Sequence, residues 1–229
     1  MNRKYLQLQP RLQLLADMVP QGSRLADVGT DHGYLPVWLL QHGRIACAIA
    51  SDVGEEPLQH ARSTAEEYGV AGIDFRLCDG LNGIAAQETD TVVIAGMGGE
   101  TMIHILAPAP WTKDGCFLLL QPMTKPELLR RWLTQNGYRI ERERLVWDKD
   151  YLYSVFEVRG GNQSLTAAEE YGGVGLEDDP LFATYLEQRI QKLSRAIDGL
   201  NRAENENNRQ RSAKLQEIRQ ALLEKREVL

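Results

Sequence analysis

One stretch of this 229-residue chain gathers groups able to hold a charged ligand: Asp27-Val28-Gly29-Thr30-Asp31-His32-Gly33-Tyr34-Leu35-Pro36. It follows an apolar run and precedes a helical pattern. Glycines so placed let the backbone approach a ligand, and in a dinucleotide site the pyrophosphate rests on the helix N-terminus. Here Asp31 stands where the middle glycine of that fingerprint would be. Its carboxylate repels a pyrophosphate, which argues against NAD and FAD. It attracts a cation, such as the ammonium of an amino-acid moiety, beside the Gly29 and Gly33 backbone. The plain alternative is a turn whose glycines only let strand meet helix.

Further polar or glycine-rich groups close the apolar runs that follow. Asp52, with Val53 beside it, ends IACAIASD, where a carboxylate can accept both hydroxyls of a ribose. Asp79-Gly80 ends IDFRLCDG, where a carboxylate can take an exocyclic amine. Gly96-Met97-Gly98-Gly99 follows DTVVIA and leaves a bare backbone that a planar substrate and a methyl donor can approach, and Gln121-Pro122 ends GCFLLL. Asp27, Asp52 and Asp79 at three successive strand ends point to S-adenosylmethionine. His32 beside a glycine turn reads as a hydrogen-bonding scaffold more than as an acid or base.

The elements that must position these groups follow from periodicity. Leu8, Leu12, Leu15 and Val19 predict a helix over about residues 3–18. SRLADVG, IACAIASD, IDFRLCDG, DTVVIAG and GCFLLLQP predict five strands, the last stopped by Pro122, with helices between them; Met97, Met102 and Ile105 are assigned to the helix after the fourth. KPELLRRWLTQNG predicts a helix with Pro126 in its first turn and Gly137 at its end. YRIERERLVWDKD and YLYSVFEVRG predict an antiparallel hairpin. Alternating strands and helices pair in parallel through right-handed crossovers. The expected fold is therefore α/β, a doubly wound Rossmann-like sheet closed by a hairpin, as in class I methyltransferases. Residues 161–180 read as an irregular connector. Beyond it, Leu186, Ile190, Leu193, Ile197 and Leu200, then Leu215, Ile218 and Leu222, keep heptad spacing in two blocks, predicting an antiparallel coiled-coil helical hairpin over 181–229. The expected division is 1–160, 161–180 and 181–229.

Hydrophobic residues make up 43% and charged residues 25%, ordinary values that exclude a disordered or collagen-like chain. No run approaches the roughly 18–20 apolar residues a membrane span needs, and the N-terminal segment has no secretory pattern. Cys47, Cys78 and Cys116 lie far apart, which excludes a cysteine zinc cluster, reads as buried inert thiols and suits a reducing, cytoplasmic compartment. Residues 1–180 carry 16 Lys and Arg against 25 Asp and Glu, net −9, whereas 181–229 carry 10 against 7, net +3. Positive charge in that tail, Arg189, Lys192 and Arg195 among it, suits phosphate contacts or a solvated coiled-coil face. Arg3, Lys4 and Arg11 form a second candidate RNA face.

ADVGTDHGYLP, AGMGG, QPM and ELLRRWL…NGYRI together resemble the bacterial tRNA (adenine(22)-N(1))-methyltransferase, or TrmK-like, family, over residues 1 to about 160 and in the kind of tail that follows. Gly54 and Met123 depart from the pattern, which has polar residues there. The resemblance implies S-adenosylmethionine as cofactor, S-adenosylhomocysteine as product, tRNA as substrate and no metal. It places Asp27, Gly29, Asp31, Gly33, Asp52, Asp79, Gly80 and Gly96 to Gly99 around the cofactor; His32, Tyr34 and Val53, beside these positions, are added to the expected pocket. Asp31 is the candidate to assist loss of a proton from the product base. A monomer or weak dimer is expected. Two other readings stay open: a methyltransferase for another RNA or a small molecule, and a nucleotide-binding module whose coiled coil recruits a partner.

Overall fold

The computed structural model describes residues 5–202 and 205–229. In chain order these form α1 (Pro10–Met18), β1 (Ser23–Val28), α2 (Tyr34–Gln41), β2 (Ile45–Asp52), α3 (Glu55–Glu67), β3 (Ile73–Leu77), β4 (Thr91–Gly98), α4 (Gly99–Leu106), β5 (Phe117–Thr124), α5 (Pro126–Gln135), β6 (Tyr138–Asp148), β7 (Tyr151–Gly160), α6 (Ala167–Gly172), α7 (Phe182–Asn201) and α8 (Glu206–Glu227). The seven strands make one sheet in the order β3-β2-β1-β4-β5-β7-β6. The first five are parallel, and β7 inserts antiparallel between β5 and β6. Val92–Ile94 and Leu118–Leu120 are wholly buried, as central strands covered on both faces must be. Strand order reverses between β1 and β4, so the crevice for a ligand opens at their carboxyl ends.

Several boundaries differ from the sequence expectation. The first helix starts at Pro10, not near residue 3, because a proline at the first helical position holds the preceding Gln9 in extended conformation. Leu6 is buried all the same, its N–H donating to Gln41 Oε1. Strand β5 runs through Pro122 to Thr124: β7 pairs only with Leu118–Leu120, so the missing N–H of Pro122 breaks no ladder on that side. Met97 belongs to β4 and α4 begins two residues later. The connector contains α6, started by Thr166 and Glu169 in a capping box. Cys116 is buried and Cys78 partly so, but Cys47 is exposed near the start of β2, where the register with β1 shifts. No helix among the described residues is long and apolar enough to cross a membrane.

Helices α7 and α8 run antiparallel. Ser212 meets Asn201, Arg219 meets Ser194 and Arg226 meets Glu187. Leu186, Ile190 and Leu193 pack against Ile218 and Leu222 along the expected seam. This pair is tied to the sheet by Arg130 of α5, whose side chain is fully buried. Its Nε and Nη2 donate to both Glu143 oxygens of β6 at 2.7 and 2.6 Å, Nη1 to the Glu170 carbonyl of α6 and Nη2 to the Tyr185 hydroxyl of α7. A bidentate pair with two further donors engaged by the Glu170 carbonyl and the Tyr185 hydroxyl is the geometry that offsets the desolvation of two charges.

Removing one partner strands the other. Arg130→Met is expected to cost about 3–5 kcal/mol in urea unfolding, and adding Glu143→Leu to recover part of that loss. Recovery stays partial because the Val174 N–H, which donates to Glu143 Oε1, then lacks its acceptor.

Candidate functional site

The carboxyl ends of β1, β2 and β4 border two adjoining cavities. The smaller, about 340 Å³, is lined by Ser51, Asp52, Val53, Cys78, Asp79, Gly80 and Asn82, with Thr101, His104 and Ile105 of α4 opposite. The larger, about 600 Å³, is lined by Asp27, Thr30, Asp31, His32, Gly33 and Tyr34, with Gln9, Arg11 and Leu12 from the N-terminal side and Ala95 and Gly96 from β4. Gly29 and Met97 line both. Gly29 has φ +78°, a left-handed conformation that favours glycine, and a Cβ there would press on the end of the Met97 side chain; its backbone is the floor of the passage between the cavities.

The β1–α2 turn is strapped to β2: Gly29 N–H and Thr30 N–H both donate to the Ser51 carbonyl, at 2.8 and 2.9 Å. Asp52 uses Oδ1 to accept the Gly54 N–H at 2.8 Å. A Cβ on Gly54 would lie 3.0 Å from Pro57 Cδ and 3.3 Å from that Asp52 oxygen, so the departure from the family pattern at Gly54 leaves the start of α3 tightly packed around Asp52. Asp27 is buried. Burial pushes its carboxyl up to about 6 and the charge of Asp52 adds to the rise; the Thr30 side chain pulls the other way, although its hydroxyl makes no bond of good geometry. Thr30 Oγ1 and Ser51 Oγ are buried without a hydrogen-bond partner among the described residues. Orphaned buried hydroxyls need a partner, and each lines one of the two cavities. An acidic trough with spare hydroxyl groups fits a cofactor carrying an ammonium, a sulfonium and a ribose.

Of the residues singled out from sequence, Asp27, Gly29, Asp31, His32, Gly33, Tyr34, Asp52, Val53, Asp79, Gly80, Gly96 and Met97 line these cavities. Gly98 and Gly99 do not. Gly98 caps α4, and Gly99 lies so close to the Lys125 carbonyl that a Cβ would meet it at 2.6 Å, which lets α4 pack on the turn after β5. Sequence reasoning missed Thr30 and Ser51, each one residue from a named position, and Asn82, Thr101 and His104, which carry no pattern of their own. His32 stacks between Tyr34 and His60, with ring centroids 5.1 and 4.9 Å away. Donor atoms of Asp31, His32 and His60 lie within 4.8 Å of one another. The two imidazoles are only 8° from parallel, so their in-plane lone pairs do not converge on a common ion.

The basic candidates separate. Arg3 and Lys4 lie outside the described residues. Arg11 is mostly buried and bonded to Gln121 and Asp148. Arg189 is buried too: it donates to Glu127 at 2.6 Å and to the Tyr171 carbonyl, so it holds α7 to the body rather than facing outward. Lys192 and Arg195 border an open cleft of about 490 Å³ between α7 and the β6–β7 hairpin, with Met123, Tyr151, Tyr153 and Gln188 around it.

Asp27 makes a pH-dependent contribution to folding. Its carboxyl titrates at 3.8 without the fold and at about 6 within it. Between these values the folded chain keeps a proton that the unfolded chain has released, so this contribution to stability falls as pH rises through the window and stays low above it. Asp27→Asn is expected to flatten that slope and to raise stability at pH 7.5 by up to about 3 kcal/mol, read by urea unfolding from pH 4 to 7.5. An unchanged slope would contradict the burial argument.

The Methyltransferase domain family matches residues 8–156. The chain is 32% identical over 183 residues to the tRNA (adenine(22)-N(1))-methyltransferase of Bacillus subtilis, covering 79% of this chain and 75% of that one. The crystal structure of a candidate tRNA (m1A22) methyltransferase from Streptococcus pneumoniae, in complex with S-adenosyl-L-methionine, superposes with a TM-score of 0.81 at 31% identity, over 93% of this chain and 98% of that one. That of Mycoplasma capricolum TrmK with S-adenosyl-homocysteine gives 0.80 at 26%, over 96% and 98%. With its sheet order, its acidic strand ends and its sequence all in agreement, this chain belongs to the tRNA (adenine(22)-N(1))-methyltransferase family.

Proposed function

We propose that the chain transfers the methyl group of S-adenosylmethionine to N1 of adenine 22 in tRNA, leaving S-adenosylhomocysteine. The observation that carries this reading is the trough itself: acidic ends of neighbouring parallel strands and two unpaired buried hydroxyls converge beside the bare Gly96 backbone. Asp52 and Val53 would border the ribose and Asp79 and Gly80 the adenine of the cofactor. Asp27, Gly29, Asp31, His32 and Gly33 would surround its amino-acid end, with Gly96 and Met97 facing the reacting centre.

When bound, S-adenosylmethionine supplies a sulfonium-borne methyl that a nitrogen lone pair can take in line. N1 of adenine carries such a lone pair at neutral pH, so the chain needs neither a base nor a metal to create the nucleophile. Its task is placement, which accounts for most of the rate in such a displacement. N1 lies on the Watson–Crick edge, so the base must be unpaired or flipped out to reach the cavity. Tyr34, 40% exposed at its mouth, offers a ring face for that base. The methylated base is cationic until it loses a proton, and the exposed Asp31 carboxylate can accept one. Lys192 and Arg195 take tRNA phosphates in the cleft beside α7, with Tyr151 and Tyr153 as stacking surfaces. Free thiols suit a reducing cytoplasm, and the protein acts as a monomer or weak dimer.

The test is methyl transfer to tRNA transcripts carrying adenine or guanine at position 22, read by nucleoside mass spectrometry. 1-Methyladenosine from the first and none from the second is expected; an unmethylated adenine transcript, or methylation at another position or atom, would contradict the reading. Charge reversal at Lys192 and Arg195 is expected to weaken tRNA binding at least tenfold and to reduce its salt slope by about 1 to 2, with S-adenosylmethionine affinity unchanged.

A further inference from the structure

The β4–β5 ladder breaks where the site begins. Ala95 pairs with Gln121 and Met97 with Pro122, and Gly96 between them has no ladder partner. Its φ is +78°, a left-handed conformation that favours glycine. The Gly96 N–H donates instead to Gln121 Oε1, at 3.0 Å. The same oxygen accepts from Arg11 Nη1 at 2.7 Å, and Arg11 Nε donates to Asp148 Oδ2 of β6 at 3.3 Å. Arg11 belongs to α1, and its Nη1 lies over the turn, 3.6 Å from where a Cβ on Gly96 would be.

A carboxamide presents oxygen or nitrogen to a neighbour with nearly the same shape, and the hydrogen-bond partners decide which. Gln121 is fully buried, so water does not compete for it. Its Nε2 has no partner among the described residues, so nothing on that side selects an orientation. The choice is made at Oε1, where the charged donor from Arg11 is the stronger of the two. With the amide reversed, Nε2 would face both a cation and the Gly96 N–H, and the turn would lose its acceptor.

We propose that Arg11 is a positioning residue for methyl transfer: acting through Gln121, it fixes the turn at Gly96 against which the substrate base is held. Asp148 aims the guanidinium from the far side. This inference rests on the methyltransferase reading for its consequence but not for its geometry. α1 thereby becomes part of the site's support although it carries none of the methyltransferase sequence motifs.

The test combines variants with two readouts. Arg11→Met and Gln121→Met are each expected to lower kcat about 10- to 100-fold, with the dissociation constant of S-adenosylmethionine changed less than about threefold; the double variant should be no worse than either single one, since both remove one linkage. Gln121→Glu keeps an acceptor for both donors and should stay within a few-fold of the parent. Hydrogen exchange at the Gly96 amide should be faster in the two Met variants and unchanged in Gln121→Glu. That readout requires no turnover, so absent methyl transfer with the expected exchange pattern would overturn the functional reading alone. Multiplying losses in the double variant, a loss confined to KM for tRNA, or unaltered Gly96 exchange in Arg11→Met would each overturn the proposal. Should Arg11→Met fail to fold, Gln121→Glu and Gln121→Met decide: equal losses in those two would overturn it as well.

Discussion

A carboxylate kept from water near the end of an interior strand of an apolar sheet is the constraint around which this molecule is arranged. Asp27 follows Leu25 and Ala26, both buried, and the charge acting on it is that of Asp52, a second acid that makes ionisation harder. A buried charge without a counter-charge is costly. The chain does not neutralise it; it opens a cavity onto it. The reversal of strand order beside β1 creates the crevice, the Gly29 turn keeps side chains out of it, and the Ser51 carbonyl holds that turn in place. In the proposed reading, a cationic ligand supplies the charge that the protein leaves out. The same logic explains why two hydroxyl groups at the cavity walls have no partner among the described residues.

The helical pair at the C-terminus depends on a second buried charge, handled in the opposite way. Arg130 is matched inside the protein by Glu143, with Tyr185 and the Glu170 carbonyl taking two more of its donors. Four elements meet at this guanidinium, and Arg189 with Glu127 repeats the device nearby. The pair α7 and α8 is thereby held in a defined place beside the β6–β7 hairpin. The proposed phosphate-binding cleft with Lys192 and Arg195 on one wall would need such a fixed frame, because a chain with net charge −6 must gather its positive charge locally to hold a polyanion.

How much of this was legible in the sequence depended on whether the signal was local. Strand ends bearing Asp27 and Asp52 were readable because buried parallel strands are mostly apolar runs, and a carboxylate at the end of such a run marks the edge of the sheet; Asp79, two residues beyond the exposed edge strand β3, was readable from the Asp-Gly pair that ends its run. The antiparallel helical pair was readable from its heptads. Boundaries set by a neighbour were not. Pro122 reads as a strand terminator, yet it lies where β7 has already left β5. Gly98 and Gly99 read as ligand-facing backbone, yet Gly99 makes room for the Lys125 carbonyl. Arg11 and Arg189 read as free surface cations, and their partners, Gln121, Asp148 and Glu127, lie 62 or more residues away. No periodicity reports a contact of that range. Arg130 was passed over for the same reason: in ELLRRWL it is one of two adjacent arginines, and only the fold distinguishes the buried one.

The central claim is that the buried acid at the end of β1 is reserved for a cationic cofactor. Calorimetric titration of S-adenosylmethionine from pH 5 to 7.5 tests it most directly. Below about pH 7 the ligand keeps its amino group protonated and its carboxyl ionised, so a change there reports the protein. With the Asp27 carboxyl at about 6, affinity should rise about tenfold across the range, and binding near pH 5.5 should release a proton. An affinity independent of pH, with no proton released, would show that the ligand does not call on that carboxylate, and the account of the site would be wrong at its base.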